Sequence, residues 1–350
     1  METKTIVLND IDYITRDEKP VIRLFGRDSK TNENVIAYDT TFKPYLYILP
    51  NNLDECLVEL RQLGIDDLEL EDKIDIGVKR EYIKATLIHP QEVPKLRDII
   101  RELPTVREIR EYDIPFYRRY LIDKQITPTN VIEIHGKTQD MDFDVDDDVI
   151  IFKLEENPID TKEIVNQNKI LSFDIEVYNA EGMPSAKKDA IIMMSLCGNN
   201  GFKKVLSTKK SSKDFVETLP TEEDILKRFV EIIKEENPDM LVGYNSDNFD
   251  LPYIKERADT LNIKLPLGID KSSIKFIKRG FNNAGLIRGR VHVDLYLLVR
   301  QYMNLDRYTL ERVYKELFDI EKIDVPGDKI FEYWDSDNEL LEKLFDYSMD

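Results

Sequence analysis

The sequence has few cysteines, no long apolar run and less positive than negative charge. Its two cysteines, Cys56 and Cys197, lie in apolar segments and provide no disulfide framework, which is typical of a reducing cytosol. No apolar stretch approaches the roughly 18 residues of a membrane span, and the amino terminus carries no apolar signal segment. We therefore expect a soluble, cytoplasmic protein that does not use a membrane as partner.

The formal net charge of -19 argues against a protein that coats nucleic acid by electrostatic attraction alone. It does not exclude a nuclease, because metal-binding carboxylates count as negative charge until their cations bind. Of the 350 residues, 41% are hydrophobic and 34% are charged, an ordinary balance for a globular protein. This length predicts about two domains.

The segment Ile170–Val177 carries the two acidic residues around which the other candidate site residues are considered. In a β-strand its apolar side chains would occupy one face, while Asp174 and Glu176 would occupy the other, about 7 Å apart. The next run, 190–197, is apolar on both faces, which predicts a well-covered sheet. Because an unpaired buried carboxylate is costly, these acids indicate a metal site, with a half-exposed acidic strand as the alternative.

Residues 1–130 predict an α+β domain of short strands and two helices. Asn52 is placed to cap a helix from Leu53 to Leu63, and a second helix is expected around 93–103. The segment 116–120 mixes aromatics with arginines, as single-strand binding sites do. A surface loop with salt bridges is the favoured alternative for that segment.

A change of composition between about Gly136 and Pro158 predicts a connector, which we place at 131–165. Aspartates crowd 140–148 at a spacing that resembles a calcium loop. However, Asp147 stands where that loop needs glycine, and Lys153 stands where it needs glutamate. We therefore interpret the segment as a solvated link between domains.

The pattern of strands and helices in residues 166–350 predicts an α/β domain. A helix begins at Thr221, and a strand at 240–244 runs into a polar loop, the usual position of a site in open α/β sheets. In that loop Asp247 and Asp250 could each reach a metal, although Asp247 could instead cap the next helix. His292, in a strand-like run at 291–297, has no His or Cys at ligand spacing and is interpreted as structural.

A last helix is expected from about Asn338 to Asp350. Tyr347 and Asp350 lie three residues apart and share a helix face. A surface hydrogen-bonded pair is the alternative to a role in a site.

Three stretches resemble the exonuclease motifs of family B DNA polymerases: Ser-Phe-Asp-Ile-Glu at 172–176, Gly-Tyr-Asn-Ser-Asp-Asn-Phe-Asp at 243–250 and Tyr-Ser-Met-Asp at 347–350. The first half is similar to the archaeal branch of that family, at 12–15, 20–25, 42–45, 89–94 and 112–124. Nothing resembles the polymerase palm motifs. The resemblance thus implies an amino-terminal piece of a longer DNA polymerase.

The resemblance also implies the domains and their chemistry. A mixed-sheet, RNase H-like 3′–5′ exonuclease domain at 166–350, truncated at its third motif, would follow a template-binding, uracil-sensing α+β domain at 1–130 and the connector. Two Mg²⁺ or Mn²⁺ ions would hydrolyse DNA phosphodiesters in proofreading. Asp174 would bind both ions, and Asp250 would support the second ion. Glu176 would act on the side of the attacking nucleophile. Tyr347 would orient the attacking water.

The same resemblance implies how nucleic acid is held. Asn245, Phe249 and Asp247 would contact the terminal nucleotide. A template uracil would enter a pocket of eight residues: Tyr13, Pro44, Tyr45, Val93, Pro115, Phe116, Arg119 and Tyr120. The partners implied are single-stranded and primer–template DNA, the remainder of the polymerase and a sliding clamp.

One departure concerns the third motif, which in the family runs Tyr, three residues, Asp. Its carboxylate is therefore expected one position after Asp350, the last residue of this sequence. Asp350 lies about 100° round the helix from that position and should substitute poorly. We expect this chain to bind metal weakly and to degrade DNA slowly or not at all.

A second function class stays open beside the exonuclease. In that reading the chain is a DNA-binding, uracil-sensing module whose nuclease site is silent. A free-standing exoribonuclease with the same metal chemistry is a third reading, against which the polymerase-type first domain argues.

Overall fold

The computed structural model describes residues 1–139, 141–164, 168–280, 282–336 and 339–350. The chain divides into two compact units, Met1–Asp142 with Asp147–Val165, and Phe143–Asp146 with Asn166–Asp350. Three details of our predictions lie outside the described residues: Asp140, the domain boundary at 165–166, and the start of the last helix at Asn338. No helix in the described ranges is both long and apolar enough to cross a membrane.

The elements of the first unit follow in chain order: β1 (Glu2–Arg16), β2 (Lys19–Asp28), β3 (Asn34–Asp39), β4 (Tyr45–Pro50), α1 (Leu53–Gln62), β5 (Leu68–Asp75), β6 (Val78–Thr86), α2 (Glu92–Arg101), β7 (Val106–Arg110), α3 (Phe116–Asp123), β8 (Asn130–Thr138), β9 (Ile150–Leu154) and β10 (Ile159–Ile164). One sheet has the order β1-β2-β3-β9-β8-β10, and the other β5-β6-β4-β7. Because β1 also pairs with β8, the first sheet closes on itself.

The segment 131–165, which the sequence predicts to be a connector, instead supplies β8, β9 and β10 to the first sheet. Alternating apolar residues bury one face of β8, where Ile132 and Ile134 are fully inaccessible. Asp160 on β10 accepts hydrogen bonds from the backbone N–H groups of Thr127 (2.9 Å) and Lys162 (2.8 Å). Residues 141–148 belong to the loop between two paired strands, β8 and β9.

The segment 116–120, for which a surface loop was favoured, begins helix α3 directly after Pro115. Phe116, Arg119 and Tyr120 are buried on one side of that helix. Their i, i+3, i+4 spacing is that of a helix face packed on a core. In contrast, α1 begins as predicted, because the side chain of Asn52 accepts the backbone N–H of Glu55 at 3.4 Å.

The elements of the second unit follow in chain order: β11 (Ile170–Val177), β12 (Ile191–Gly198), β13 (Lys203–Ser207), β14 (Val216–Thr218), α4 (Glu222–Glu236), β15 (Met240–Gly243), α5 (Asp250–Thr260), β16 (Lys275–Arg279), β17 (Asn282–Leu286), β18 (Val291–Asp294), α6 (Leu295–Tyr302), α7 (Leu310–Phe318), α8 (Ile330–Asp335) and α9 (Glu339–Met349). The main sheet has the order β14-β13-β12-β11-β15-β18. Strand β11 is antiparallel to β12 and parallel to β15, so the sheet is mixed.

Two apolar clusters cover the sheet of the second unit. One contains Phe173 and Ile175 of β11 together with Phe229 of α4. The other packs Met193 of β12 against Phe345 of α9. The run 291–297 is not one strand as predicted, because Asp294 caps α6 by accepting the N–H of Tyr296 at 2.9 Å.

Candidate active site

Strand β11 presents two acidic side chains on the same side of its backbone. Asp174 keeps exposed surface, whereas Glu176 is buried. The alternate residues, Phe173 and Ile175, fill the apolar core. The alternation read from the sequence therefore places both carboxylates on one face of a central strand.

The loop between β15 and α5 carries the second group of site residues. A side chain at Gly243 would lie 2.5 Å from the Cβ of Ser246, so only glycine fits where this loop turns. Asn245 adopts a left-handed conformation with φ of 60°, which asparagine tolerates better than most residues. Phe249 is half-buried, and its ring lies 5.4 Å from that of Tyr253.

Asp250 joins this loop to β11. It is the first residue of α5 and is only 2% exposed. Its Oδ1 accepts the backbone N–H of Ile175 at 3.2 Å. Since Ile175 lies between Asp174 and Glu176, this bond brings the carboxylate of Asp250 to the acidic face of the strand.

The three carboxyl groups perturb one another. The crowding of protein atoms around Asp174 desolvates its carboxyl and raises its pKa to about 6, against the opposing effect of the Lys322 charge. Burial also raises the pKa values of Glu176 and Asp250 well above their ordinary range, and the charge of Asp174 adds to both shifts. The carboxyl groups of Asp174 and Asp250 therefore perturb each other's pKa across the gap between β11 and the start of α5.

Tyr347 on α9 borders the same group. Burial raises the pKa of its hydroxyl, and the charges of Glu176 and Asp174 raise it further. The phenol therefore stays protonated at neutral pH, and it can donate a hydrogen bond toward the carboxylates. Asp350 is turned elsewhere, since its Oδ2 accepts the N–H of Ile323 at 2.8 Å.

Asp247, which was predicted to bind substrate, has surroundings different from those of Asn245 and Phe249. This side chain is 5% exposed and points into the protein. Its Oδ1 accepts the N–H of Gly285 at 2.6 Å and lies 3.2 Å from Nδ1 of His292. The other imidazole nitrogen, Nε2, lies 3.0 Å from Oγ of Ser246. Asp247 thus anchors the loop from inside.

Two residues of the site were missed by the sequence reasoning. Asp294, at the end of β18, accepts the N–H groups of Asn245 (2.8 Å) and Asp247 (3.1 Å). A polar residue directly after a parallel strand was the available signal. Lys322 provides positive charge to Asp174 and Glu176 from an irregular segment after α7, where no periodicity marks it.

The donor set suits a hard divalent cation, because all three candidate ligands are carboxylates that repel one another. Within the described ranges, no three His, Cys, Asp or Glu side chains stand at the spacing of a complete metal site. The evidence that a divalent cation fits here is therefore the chemistry of the carboxylate donors and the mutual repulsion of Asp174, Glu176 and Asp250.

The first unit contains a cavity of about 250 Å³. It is lined by Tyr13, Pro44, Tyr45, Pro90, Val93, Pro94, Glu111, Tyr112, Asp113, Ile114, Pro115, Phe116, Tyr117 and Arg119. Of the eight residues assigned to a uracil pocket, Tyr120 is the one outside this lining. It is fully buried and donates a hydrogen bond to Asp39 at 3.2 Å, because its position on α3 faces the core.

Aromatic and charged contacts fix the cavity wall. The rings of Tyr13 and Phe116 meet edge to face at 5.2 Å. The Arg119 guanidinium lies 4.7 Å from the ring centre of Tyr45 and forms an ion pair with Glu111. The wall is thus held by contacts within the first unit.

Comparison with known proteins places this geometry in a family. Residues 107–313 match the family described as DNA polymerase family B, exonuclease domain. The chain belongs to DNA polymerase family B. A DNA polymerase of Pyrococcus glycovorans is 38% identical over 350 residues, which cover 97% of this chain and 40% of the relative. DNA polymerase 1 of Pyrococcus abyssi is 37% identical with the same coverage.

The solved structure of the family B DNA polymerase from Pyrobaculum calidifontis is similar over 99% of this chain and 44% of that one, with a TM-score of 0.86 and 26% identity. The chain therefore spans less than half the length of the polymerases named here. The family and the mixed α/β fold predicted from the motifs are confirmed. Exonuclease domains of family B polymerases generally depend on divalent metal ions.

Proposed function

We propose that the second unit hydrolyses DNA from the 3′ end, as the proofreading site of a family B DNA polymerase. The observation that carries the proposal is the electrostatic coupling of Asp174, Glu176 and Asp250, with Tyr347 at their border. Carboxylates that repel one another on a central strand raise the free energy of the folded chain, and bound metal ions would relieve that repulsion.

Asp174, Glu176 and Asp250 would hold two Mg²⁺ or Mn²⁺ ions. When bound, such ions supply an activated water and stabilise the leaving 3′ oxygen of an in-line displacement. The Tyr347 hydroxyl, protonated at neutral pH, orients the attacking water by hydrogen bonding. Lys322 offsets part of the negative charge when the phosphodiester approaches.

The terminal nucleotide would rest against the loop between β15 and α5. Phe249 offers a half-buried ring for stacking on the base, and Asn245 offers amide groups for hydrogen bonds. The left-handed conformation of Asn245 and the hydrogen bond from its N–H to Asp294 fix the backbone from which that side chain projects.

The test is a 5′-labelled single strand incubated with the chain in Mg²⁺ or Mn²⁺, beside an Asp174→Ala variant. We expect a ladder that shortens from the 3′ end only with the unsubstituted chain and metal. A ladder of equal strength with Asp174→Ala would refute the assignment.

A second function is favoured by the cavity of the first unit, which we propose binds a uracil base in the template strand. The tight aromatic wall would exclude the 5-methyl group of thymine, a difference worth about 1 to 3 kcal/mol. Tighter binding of uracil-containing than thymine-containing single strands, retained in Asp174→Ala, is the expected result. The remainder of the polymerase and a sliding clamp are proposed partners of the intact enzyme.

A further inference from the structure

Three tyrosines and one arginine form a cluster beside the loop between β15 and α5. Tyr244 directly follows β15, and its ring meets that of Tyr296 in the first turn of α6 at 5.7 Å and 82°. The Tyr244 hydroxyl donates a hydrogen bond to the carbonyl oxygen of Tyr308 at 2.6 Å. We call Tyr244, Tyr296, Arg300 and Tyr308 the aromatic platform.

Arg300 joins two rings of the platform. Its guanidinium carbon lies 5.7 Å from the ring centre of Tyr296 and 5.6 Å from that of Tyr308. The side chain is exposed, and among the described residues no carboxylate lies within ion-pair distance of it. In a chain with 69 acidic and 50 basic side chains, an arginine held only by aromatic rings is available to an external anion.

The platform borders the candidate active site. Asp294 accepts the N–H of Tyr296 at 2.9 Å and that of Asn245 at 2.8 Å on the same oxygen. The charge of Glu311 on α7 raises the pKa of both Tyr244 and Tyr347, so the start of α7 lies near both tyrosines. The platform therefore lies within reach of a strand whose 3′ end contacts Asn245.

We propose that the aromatic platform binds the single-stranded DNA segment on the 5′ side of the nucleotide to be removed. Arg300 contacts a backbone phosphate, and the tyrosine rings stack on or pack against the adjacent sugar and base. Half-buried aromatic rings next to an exposed guanidinium supply the two kinds of group that bind single strands without sequence preference. The inference rests on the proposed exonuclease function, because that function supplies the strand.

The test measures binding without cleavage. A 5′-fluorescein oligothymidylate of about twelve nucleotides is titrated with the chain in EDTA, and Kd is read from fluorescence anisotropy. For Arg300→Ala we expect Kd to rise about tenfold, the scale of one lost stacking and phosphate contact. Arg300→Lys keeps the charge without the planar stack and should recover only part of that loss.

Lys264→Ala is the matched control. Lys264 is exposed, lies beyond the carboxyl end of α5 and therefore away from Asp250, and its removal changes the net charge equally. Equal Kd values for Arg300→Ala and Lys264→Ala would overturn the proposal, as would full affinity in Arg300→Ala.

Kinetics give a second readout where cleavage is measurable. Arg300→Ala should raise KM for the oligonucleotide about tenfold with kcat little changed, whereas a merely structural role would lower kcat as well. Because anisotropy needs no metal and no turnover, absent cleavage by the unsubstituted chain would count against the proposed function alone. The binding comparison would still decide on the platform.

Discussion

The Nδ1 atom of His292 lies 3.2 Å from Oδ1 of Asp247, and both side chains are almost completely buried. Ser246 contacts the opposite imidazole nitrogen. This buried array lies under the loop whose ends carry Asn245 and Asp250. Because His292 lies on β18, this strand determines the position of the loop that follows its neighbour, β15.

Replacing His292 with Leu should destabilise the second unit by about 1 to 3 kcal/mol, because Asp247 and Ser246 would keep buried polar groups without their imidazole partner. Urea unfolding measures this change. Ser246→Ala is the control and should cost less, since the pair of Asp247 and His292 stays intact. Unchanged stability of His292→Leu would show that the array contributes nothing to holding the loop.

Divalent cations should raise the unfolding temperature of the chain at neutral pH, because they bind the native carboxylates and relieve their repulsion. Asp250→Asn should melt at a higher temperature than the unsubstituted chain in EDTA, and should gain less from Mn²⁺. Thermal melts with EDTA and with Mn²⁺ compare the two proteins. Equal Mn²⁺ shifts in both would argue against Asp250 as a ligand.

Tyr347→Phe should slow DNA cleavage about a hundredfold, the effect of a misplaced attacking group, while the retained ring preserves packing on α9. Single-turnover cleavage of a 5′-labelled strand measures the rate. Tyr333→Phe on α8 removes a hydroxyl from the same unit and should leave the rate unchanged. Similar rates for Tyr347→Phe and Tyr333→Phe would remove Tyr347 from the site.

Val93→Phe should abolish the preference for uracil, because the larger ring occupies part of the 250 Å³ cavity. The unsubstituted chain should bind a uracil-containing strand about tenfold or more tightly than its thymine counterpart. Anisotropy in EDTA measures both strands. Ile99→Phe places the same ring on the exposed side of α2 and should keep the preference. A preference retained in Val93→Phe would place uracil elsewhere.

Asp160 should make the first unit sensitive to acid. Burial raises its pKa, but hydrogen bonds from Asn130, Lys162 and Thr127 outweigh burial and hold the pKa below its ordinary value of 3.8. Between the two pKa values the unfolded chain binds more protons than the native one, so stability falls as pH drops through that window. Above it the contribution is fully present.

Asp160→Asn should therefore lose about 1.5 to 3 kcal/mol at neutral pH and depend less on pH in the acid range. Urea unfolding across a pH series measures both effects. Asp148→Asn, an exposed position in the aspartate-rich loop, serves as the control. A pH profile identical to that of the unsubstituted chain would contradict the role of Asp160.

The sequence predicted those parts of the fold that depend on local pattern. Alternation in Ile170–Val177 predicted β11 at its observed bounds and the shared face of Asp174 and Glu176. The loop after β15 was expected to approach them, because polar loops follow the carboxyl ends of strands. The bond from Ile175 N–H to Asp250 is the contact that joins the two stretches.

The remainder depends on contacts between residues far apart in the chain. The strands between 131 and 165 were missed because their partners lie near the amino terminus and between 34 and 39. The sequence of a loop does not show which of its polar side chains turns inward. Asp247 was therefore predicted to contact substrate, whereas in the structure it lies beside His292. The charge of Lys322 acts on Asp174 and Glu176 from a segment that is far from both in the chain, so no local pattern could show the effect.

The pairing of β1 with β8 also affects the order in which strands can pair during protein synthesis. Glu2 lies opposite Gly136, so one edge of the first strand stays unpaired until the ribosome has released residues near 136. Strand β9 pairs with β3 later still. Such long sequence separations slow folding, and they leave an open strand edge during translation. The residues of β1 are thus made before the strand that completes their hydrogen bonding, and they gain their last partners only after β8 has formed.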